Sequence, residues 1–314
     1  MAIPSHFWNF LVQICFLILA FNYECNGQNI PRFSAIFAFG DSVLDTGNND
    51  YLNSIARANY QPYGTNFPGK IATERFSDGK LVPDLLASLL GLKELVPPYL
   101  QPNLTDRELL TGNLQDYLKR LTNVVGRQEA RRIVNQALVL LHAGAVDFLY
   151  HFDVSRTNRR IQFTVNNYQD FLLGKLQDFL KELYDLGCRR IIASNLPPLG
   201  CLPITMTVNS PIWGGCIEKI NVDTRSYNDK LGNLLPQVQA KLPGIKLVYQ
   251  DTYGLDLWKL DEDVAVLEFG TSCIPITPIC GNASQYFFWD SIHPTEAACR
   301  IVAKEILNKL VESN

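Results

Sequence analysis

The stretch Ala35-Ile36-Phe37-Ala38-Phe39-Gly40-Asp41-Ser42-Val43-Leu44-Asp45-Thr46-Gly47-Asn48-Asn49 decides the fold. Five apolar residues run into Gly-Asp-Ser, and a polar turn rich in Gly and Asn follows. An unbroken apolar run bounded by turn formers predicts a strand buried on both faces, as in a parallel sheet. Open α/β sheets hold their ligands at the carboxyl ends of the strands, and Ser42 lies at such an end. By itself this is a modest signal, because small polar residues after a buried strand commonly serve as turn formers.

Three further apolar runs share the character of the first, at 137–142, 190–194 and 245–250. Between them lie helical patterns at 81–90, 114–125, 128–136, 165–186, 220–242 and 295–310. In the fourth, Phe171, Leu172, Leu176, Phe179, Leu180 and Leu183 recur on one face. Pro97, Pro98 and Pro102 exclude regular structure as far as Thr105, and 262–283 reads as loop. Strands alternating with helices predict an α/β fold whose parallel sheet is covered on both faces. No repeat, low-complexity segment or linker divides the chain, so a single domain is expected over 28–314.

The 314 residues are 47% hydrophobic, enough for a large core, and the net charge of -3 offers no basic footprint for nucleic acid. Residues 7–21 form an apolar block too short and too interrupted for a comfortable membrane span. Cys25 and Gly27 stand at -3 and -1 of a cleavage point, so 1–27 reads as a secretory signal peptide, although its first residues lack Lys and Arg. An uncleaved anchor is the rival reading. The expectation is a secreted chain without an integral membrane segment once the signal is removed.

Secretion changes the meaning of the cysteines. Six remain after the signal: Cys188, Cys201, Cys216, Cys273, Cys280 and Cys299. An oxidising compartment favours disulfides. Cys201/Cys216 and Cys273/Cys280 each bracket a short loop, so local pairing is the economical reading, while Cys188 and Cys299 sit in apolar stretches as buried thiols. No CxxC pair occurs, and no metal site is expected. Asn103-Leu104-Thr105 and Asn282-Ala283-Ser284 match the glycosylation acceptor pattern.

Far from Ser42 stands Phe287-Phe288-Trp289-Asp290-Ser291-Ile292-His293-Pro294-Thr295. Pro294 can occupy the first turn of the last helix and fix the loop that carries His293. Asp290, three residues upstream, can turn back to accept a hydrogen bond from the imidazole. A hydroxyl is a poor nucleophile until a base takes its proton, and the base needs an acid to hold its tautomer. The plainer alternative is that Asp290 caps the helix and His293 is a satisfied loop histidine. His142 ends a strand run and reads as a hydrogen-bonded core residue, and His151 has an equally plain reading. Asp41 and Asp45 are expected to fix the turn around Ser42. A nucleotide-binding reading of the first turn lacks the Gly-rich loop with Lys, or the GxGxxG run, that it would need.

Gly40-Asp41-Ser42 with Asp45 and Gly47-Asn48-Asn49, together with Asp290-Ser291-Ile292-His293-Pro294, resemble the first and last signature blocks of the plant GDSL-type esterase/lipases, a branch of the SGNH hydrolases. Intermediate stretches agree: Tyr63-Gly64, Arg75-Phe76-Ser77-Asp78-Gly79-Lys80, Pro97-Pro98-Tyr99-Leu100, Leu196-Pro197-Pro198-Leu199-Gly200-Cys201 and Asp251-Thr252-Tyr253. The resemblance implies a three-layer α/β/α sandwich with a flavodoxin-like central parallel sheet. It also implies hydrolysis of small-molecule or lipid esters without cofactor or metal, with Ser42 as nucleophile, His293 as general base and acid, and Asp290 orienting His293.

Two departures from the family pattern concern the oxyanion hole, which the family builds from the Ser backbone N–H, a Gly in a second block and an Asn in a third. The third block here reads Gly144-Ala145-Val146-Asp147, and Val146 has no side-chain donor. Leu110-Thr111-Gly112 runs directly into Asn113-Leu114-Gln115-Asp116, without the small-residue loop of the second block. The Ser42 backbone N–H remains, with Gly144 or Asn113 as substitute donors. An active esterase and a catalytically impaired homologue with a binding role are the two readings that follow. Asp147 is expected to tie loops together beside the site.

Overall fold

The four apolar runs form β1 (Ile36–Gly40), β2 (Leu138–His142), β3 (Arg190–Ser194) and β4 (Lys246–Gln250). They make one parallel sheet in the order β1-β2-β3-β4. The computed structural model describes residues 30–54, 56–101, 114–149, 162–209, 215–255 and 281–313. The signal segment, Asn103, Asn113, His151 and the Cys273/Cys280 pair lie outside the described residues.

Alternate residues of each strand face opposite layers, as the two-residue period of a strand requires. Ile36, Leu138, Leu140 and Ile192 pack against α1 (Val82–Leu89) and α8 (Glu296–Glu312). Phe37, Val139, Leu141, Ile191 and Ala193 face the other way. There they meet α2 (Leu114–Val125), α3 (Arg127–Asn135), α5 (Val165–Asp185) and α7 (Glu218–Lys241). The expected three-layer α/β/α sandwich is thus present, and both sheet faces being dry explains why the strands read as unbroken apolar runs.

Two short helices escaped the sequence reading, α4 (Ala145–Phe148) and α6 (Pro203–Asn209). Each is too brief to display a helical period. The last helix starts later than expected: Thr295 is its N-cap, accepting from Ala298 N at 3.2 Å, so Pro294 precedes the helix rather than occupying its first turn. Pro294 instead bridges to Phe288 in antiparallel fashion, and Thr295 N donates to Phe287 O at 2.9 Å. Thr295 displaces Asp290 as cap because its hydroxyl stands at the helix entrance, which leaves the Asp290 carboxylate for other partners.

The local pairing of Cys201 with Cys216 is present, and Cys188 and Cys299 are buried free thiols. Burial pushes the Cys188 thiol up to about 12, and that of Cys299 higher still, so neither forms a thiolate near neutrality.

Candidate active site

Gly40 ends β1 directly beneath the strand next door. A Cβ there would lie 2.4 Å from the His142 carbonyl oxygen, so the chain needs glycine to bring the Ser42 turn this close to the sheet. Beyond it the backbone folds tightly: the Asp41 carbonyl accepts from Leu44 N at 3.0 Å and from Asp45 N at 3.1 Å. The Asp41 carboxylate accepts from Val43 N, and Asp45 Oδ1 gathers Gly47 N, Asn48 N and Asn48 Nδ2 within 3.1 Å. Both aspartates therefore engage one carboxylate oxygen in the turn, as expected.

The loop before α8 brings the other partners. His293 Nε2 stands 2.7 Å from Ser42 Oγ across 251 residues of sequence. Its Nδ1 lies 2.7 Å from Asp290 Oδ2 and 2.9 Å from Oδ1. Asp290 is wholly buried and His293 nearly so. A buried carboxylate demands full compensation, and Asp290 finds it. Oδ1 accepts the backbone N–H groups of Ile292 at 2.8 Å and His293 at 2.7 Å. The Tyr63 hydroxyl donates to Oδ2 at 2.8 Å.

Tyr63 is the partner that sequence reasoning missed. It stood in one of the motif stretches, but nothing in the residue order shows a contact 227 positions away. The neighbouring stretch supports the same loop. The Phe76 ring lies 4.8 Å from the His293 ring, and Ser77 Oγ donates to the Pro294 carbonyl at 2.9 Å. Asp78 accepts from Glu296 N at 2.7 Å, at the entrance of α8.

The third block shows a different balance. Gly144 has φ +108°, and a Cβ would stand 3.2 Å from the Tyr227 hydroxyl, so glycine fits here on both counts. Burial pushes the Tyr227 phenol up, and its O–H donates to the Ala143 carbonyl at 3.4 Å. Asp147 accepts from Tyr168 on α5 at 3.3 Å, tying the block to that helix rather than to another loop. Val146 lines the same cavity as Ser42 and brings only methyl groups to it. The Ser42 N–H has no hydrogen-bond partner among the described residues.

That cavity, about 120 Å³, opens beside Ser42 and is walled mainly by apolar side chains. A second, wider hollow of about 380 Å³ lies on the far side of Asp41 and Val146, between Phe39, Gly144 and the α5 residues Lys175 and Phe179. Among the described residues no group of acidic, His or Cys side chains is arranged to hold a metal, and no helix is long and apolar enough to cross a membrane. Of the two acceptor asparagines, Asn282 is exposed.

Residues 36–306 match the family model described as GDSL-like Lipase/Acylhydrolase. A GDSL esterase/lipase of Arabidopsis thaliana is 39% identical over 336 aligned positions, covering 93% of each chain. A second from the same plant is 37% identical over 340 positions, covering 94% of each. Both alignments are longer than this whole chain of 314 residues, so the relatives carry segments that it lacks.

Proposed function

The chain belongs to the GDSL-like lipase/acylhydrolase family, and from that premise we propose a secreted serine esterase whose triad is Ser42, His293 and Asp290. The observation that carries the reading is the continuous Ser42–His293–Asp290 hydrogen-bond chain, 2.7 Å at each link. Asp290 holds Nδ1–H, which leaves Nε2 free to accept the Ser42 proton as Oγ attacks the ester carbonyl. The Ser42 N–H meets the developing oxyanion. His293 then protonates the leaving alcohol, and the acyl-enzyme is released when His293 deprotonates a water for the return attack.

A fluorophosphonate probe tests the reading, because it reacts with an activated serine. Labelling of the wild type but not of Ser42→Ala is expected, together with hydrolysis of short p-nitrophenyl esters. Equal labelling of both proteins would remove Ser42 from the mechanism.

A second reading, an impaired homologue with a binding role, draws on Val146 and on the longer relatives. Loss of one oxyanion donor typically lowers kcat by about 10²–10³, and the losses of residues acting as a unit do not multiply. Val146→Asn separates the two. A gain of at least tenfold in kcat marks the oxyanion hole as the defect; no gain leaves the Ser42 N–H and its surroundings as the working arrangement.

The proposal extends to the whole chain: removal of 1–27, a single hydrolase domain over 28–314, and glycans on Asn103 and Asn282. The exposed Asn282 and the Cys201–Cys216 disulfide support export through an oxidising compartment.

A further inference from the structure

The two large apolar clusters of the core do not close on each other at the carboxyl end of the sheet. One supplies Leu149, Leu199 and Phe288, the other Leu44, Leu140 and Ile306, and the cavity of about 120 Å³ beside Ser42 is the space between them. Protein interiors hold few voids larger than a water molecule, and an empty apolar one costs stability in proportion to its volume. A void of this size at a candidate nucleophile therefore asks for an occupant. Its wall offers that occupant little polarity. The Asp41 carboxylate accepts from Val43 N, and the Thr252 hydroxyl donates to the Asn195 carbonyl at 2.7 Å. His142, expected to be a hydrogen-bonded core residue, also lines the space, but its Nδ1 is buried without a partner among the described residues.

The elements give the cavity its depth. Ser42 stands two residues beyond Gly40, the register partner of His142, whereas Leu140 lies two residues farther back along β2 on the same face as His142. On α8, Val302 and Ile306 line the cavity one turn apart, and Ile306 is the farther from the His293 loop at the helix entrance. Leu140 and Ile306 are both 2% exposed and share one packed cluster, so they form the floor. Building on the esterase reading, we propose that this cavity takes the acyl chain of the ester, that it suits unsubstituted chains of about six carbons, and that Ile306 sets the limit. The volume gives the length, since a dry cavity of roughly 150 Å³ takes a benzene molecule. Each methylene buried against the apolar wall favours binding until the floor is met. A longer chain has to displace Leu140 or Ile306 within a close-packed core, and that strain outweighs the gain from its extra methylenes.

Alkyl fluorophosphonates with ethyl, hexyl, octyl and dodecyl groups on phosphorus place the alkyl group where the acyl chain would lie. The rate at which each labels Ser42 on the full chain reads the cavity. The hexyl reagent should react about tenfold faster than the ethyl or dodecyl reagent. Ile306→Ala removes the floor side chain beyond its β-carbon and should make octyl the fastest. Rates that climb to dodecyl, rates independent of length, or a hexyl optimum kept in Ile306→Ala overturn the proposal. Should Ile306→Ala fail to fold, Ile306→Val removes a single methyl group and should raise the octyl rate about threefold relative to hexyl; no rise overturns the proposal as well. A serine inert to every reagent defeats the esterase reading instead, and the cavity is then judged by titration calorimetry on Ser42→Ala. There 1-hexanol should bind more tightly than 1-decanol, against their order of hydrophobicity, and the reverse order overturns the assignment of the cavity.

Discussion

Tyr63 and His293 Nδ1 meet the same oxygen of Asp290, at 2.8 and 2.7 Å. A hydrogen bond to a charged group contributes about 1.5–3 kcal/mol, so Tyr63→Phe should lower kcat/KM about tenfold while Ser42 still accepts a fluorophosphonate. Steady-state kinetics check it. Glu74 poses the opposite case. It is fully buried at φ 62°, and neither carboxylate oxygen has a partner within hydrogen-bond geometry among the described residues. Burial raises its pKa, and the Ala58 backbone offsets that only in part. An acid whose folded value lies above its unfolded value adds no penalty at low pH and destabilises increasingly as pH rises through the folded value. Glu74→Gln should therefore stabilise the protein at pH 8, with the gain vanishing near pH 4. Thermal melts across that range show it, and a gain independent of pH would count against the buried charge as the cause.

Elements, rather than single residues, bring Ser42, His293 and Asp290 together. The loop before α8 is strapped by Ser77 and Asp78, and the backbone of that strap is held by Arg75. Its guanidinium pairs with Asp84 in the first turn of α1 at 2.8 and 2.9 Å and donates to the Val96 carbonyl. Asp84 also accepts from Leu81 N and Val96 N. Breaking a buried pair from one side costs about 3–5 kcal/mol, so Asp84→Ala should lose that much in denaturant unfolding. Labelling of Ser42 should weaken in parallel, since Phe76 and the strap move with Arg75. None of this is visible in residue order. The four strands were legible because two dry faces make each an apolar block, and the long helices because their stripes repeat over several turns. Ala145–Phe148 and Pro203–Asn209 were not, one for want of turns and the other because Pro, Ile, Thr and Val mimic a strand. Pro294 misled for a related reason: Pro favours a first turn, but Thr295 caps better and takes that place.

At the scale of the molecule, the catalytic reading depended on joining residues 42 and 293, which composition and periodicity cannot do; the motif blocks could, and the two side chains lie 2.7 Å apart. What the blocks could not convey was the state of His142, whose Nδ1 is buried without a partner among the described residues. The Cys201–Cys216 disulfide closes a segment of 15 residues next to Leu199 and Leu202, two walls of the Ser42 cavity. A loop of that size contributes about 3 kcal/mol through the unfolded chain. The double variant Cys201→Ser/Cys216→Ser should lose stability of that order in denaturant unfolding, and an unchanged midpoint would contradict it.

The sheet is ordered as it is translated, β1 to β4, and His293 follows all four strands. Each strand can dock on the one made just before it, so the scaffold is able to assemble vectorially as the chain emerges. Ser42, the proposed nucleophile, is among the earliest parts made, while His293 follows all four strands. A chain that ends before His293 therefore carries Ser42 without that partner, and leaves Ile36, Leu138, Leu140 and Ile192 without α8, the helix that covers them.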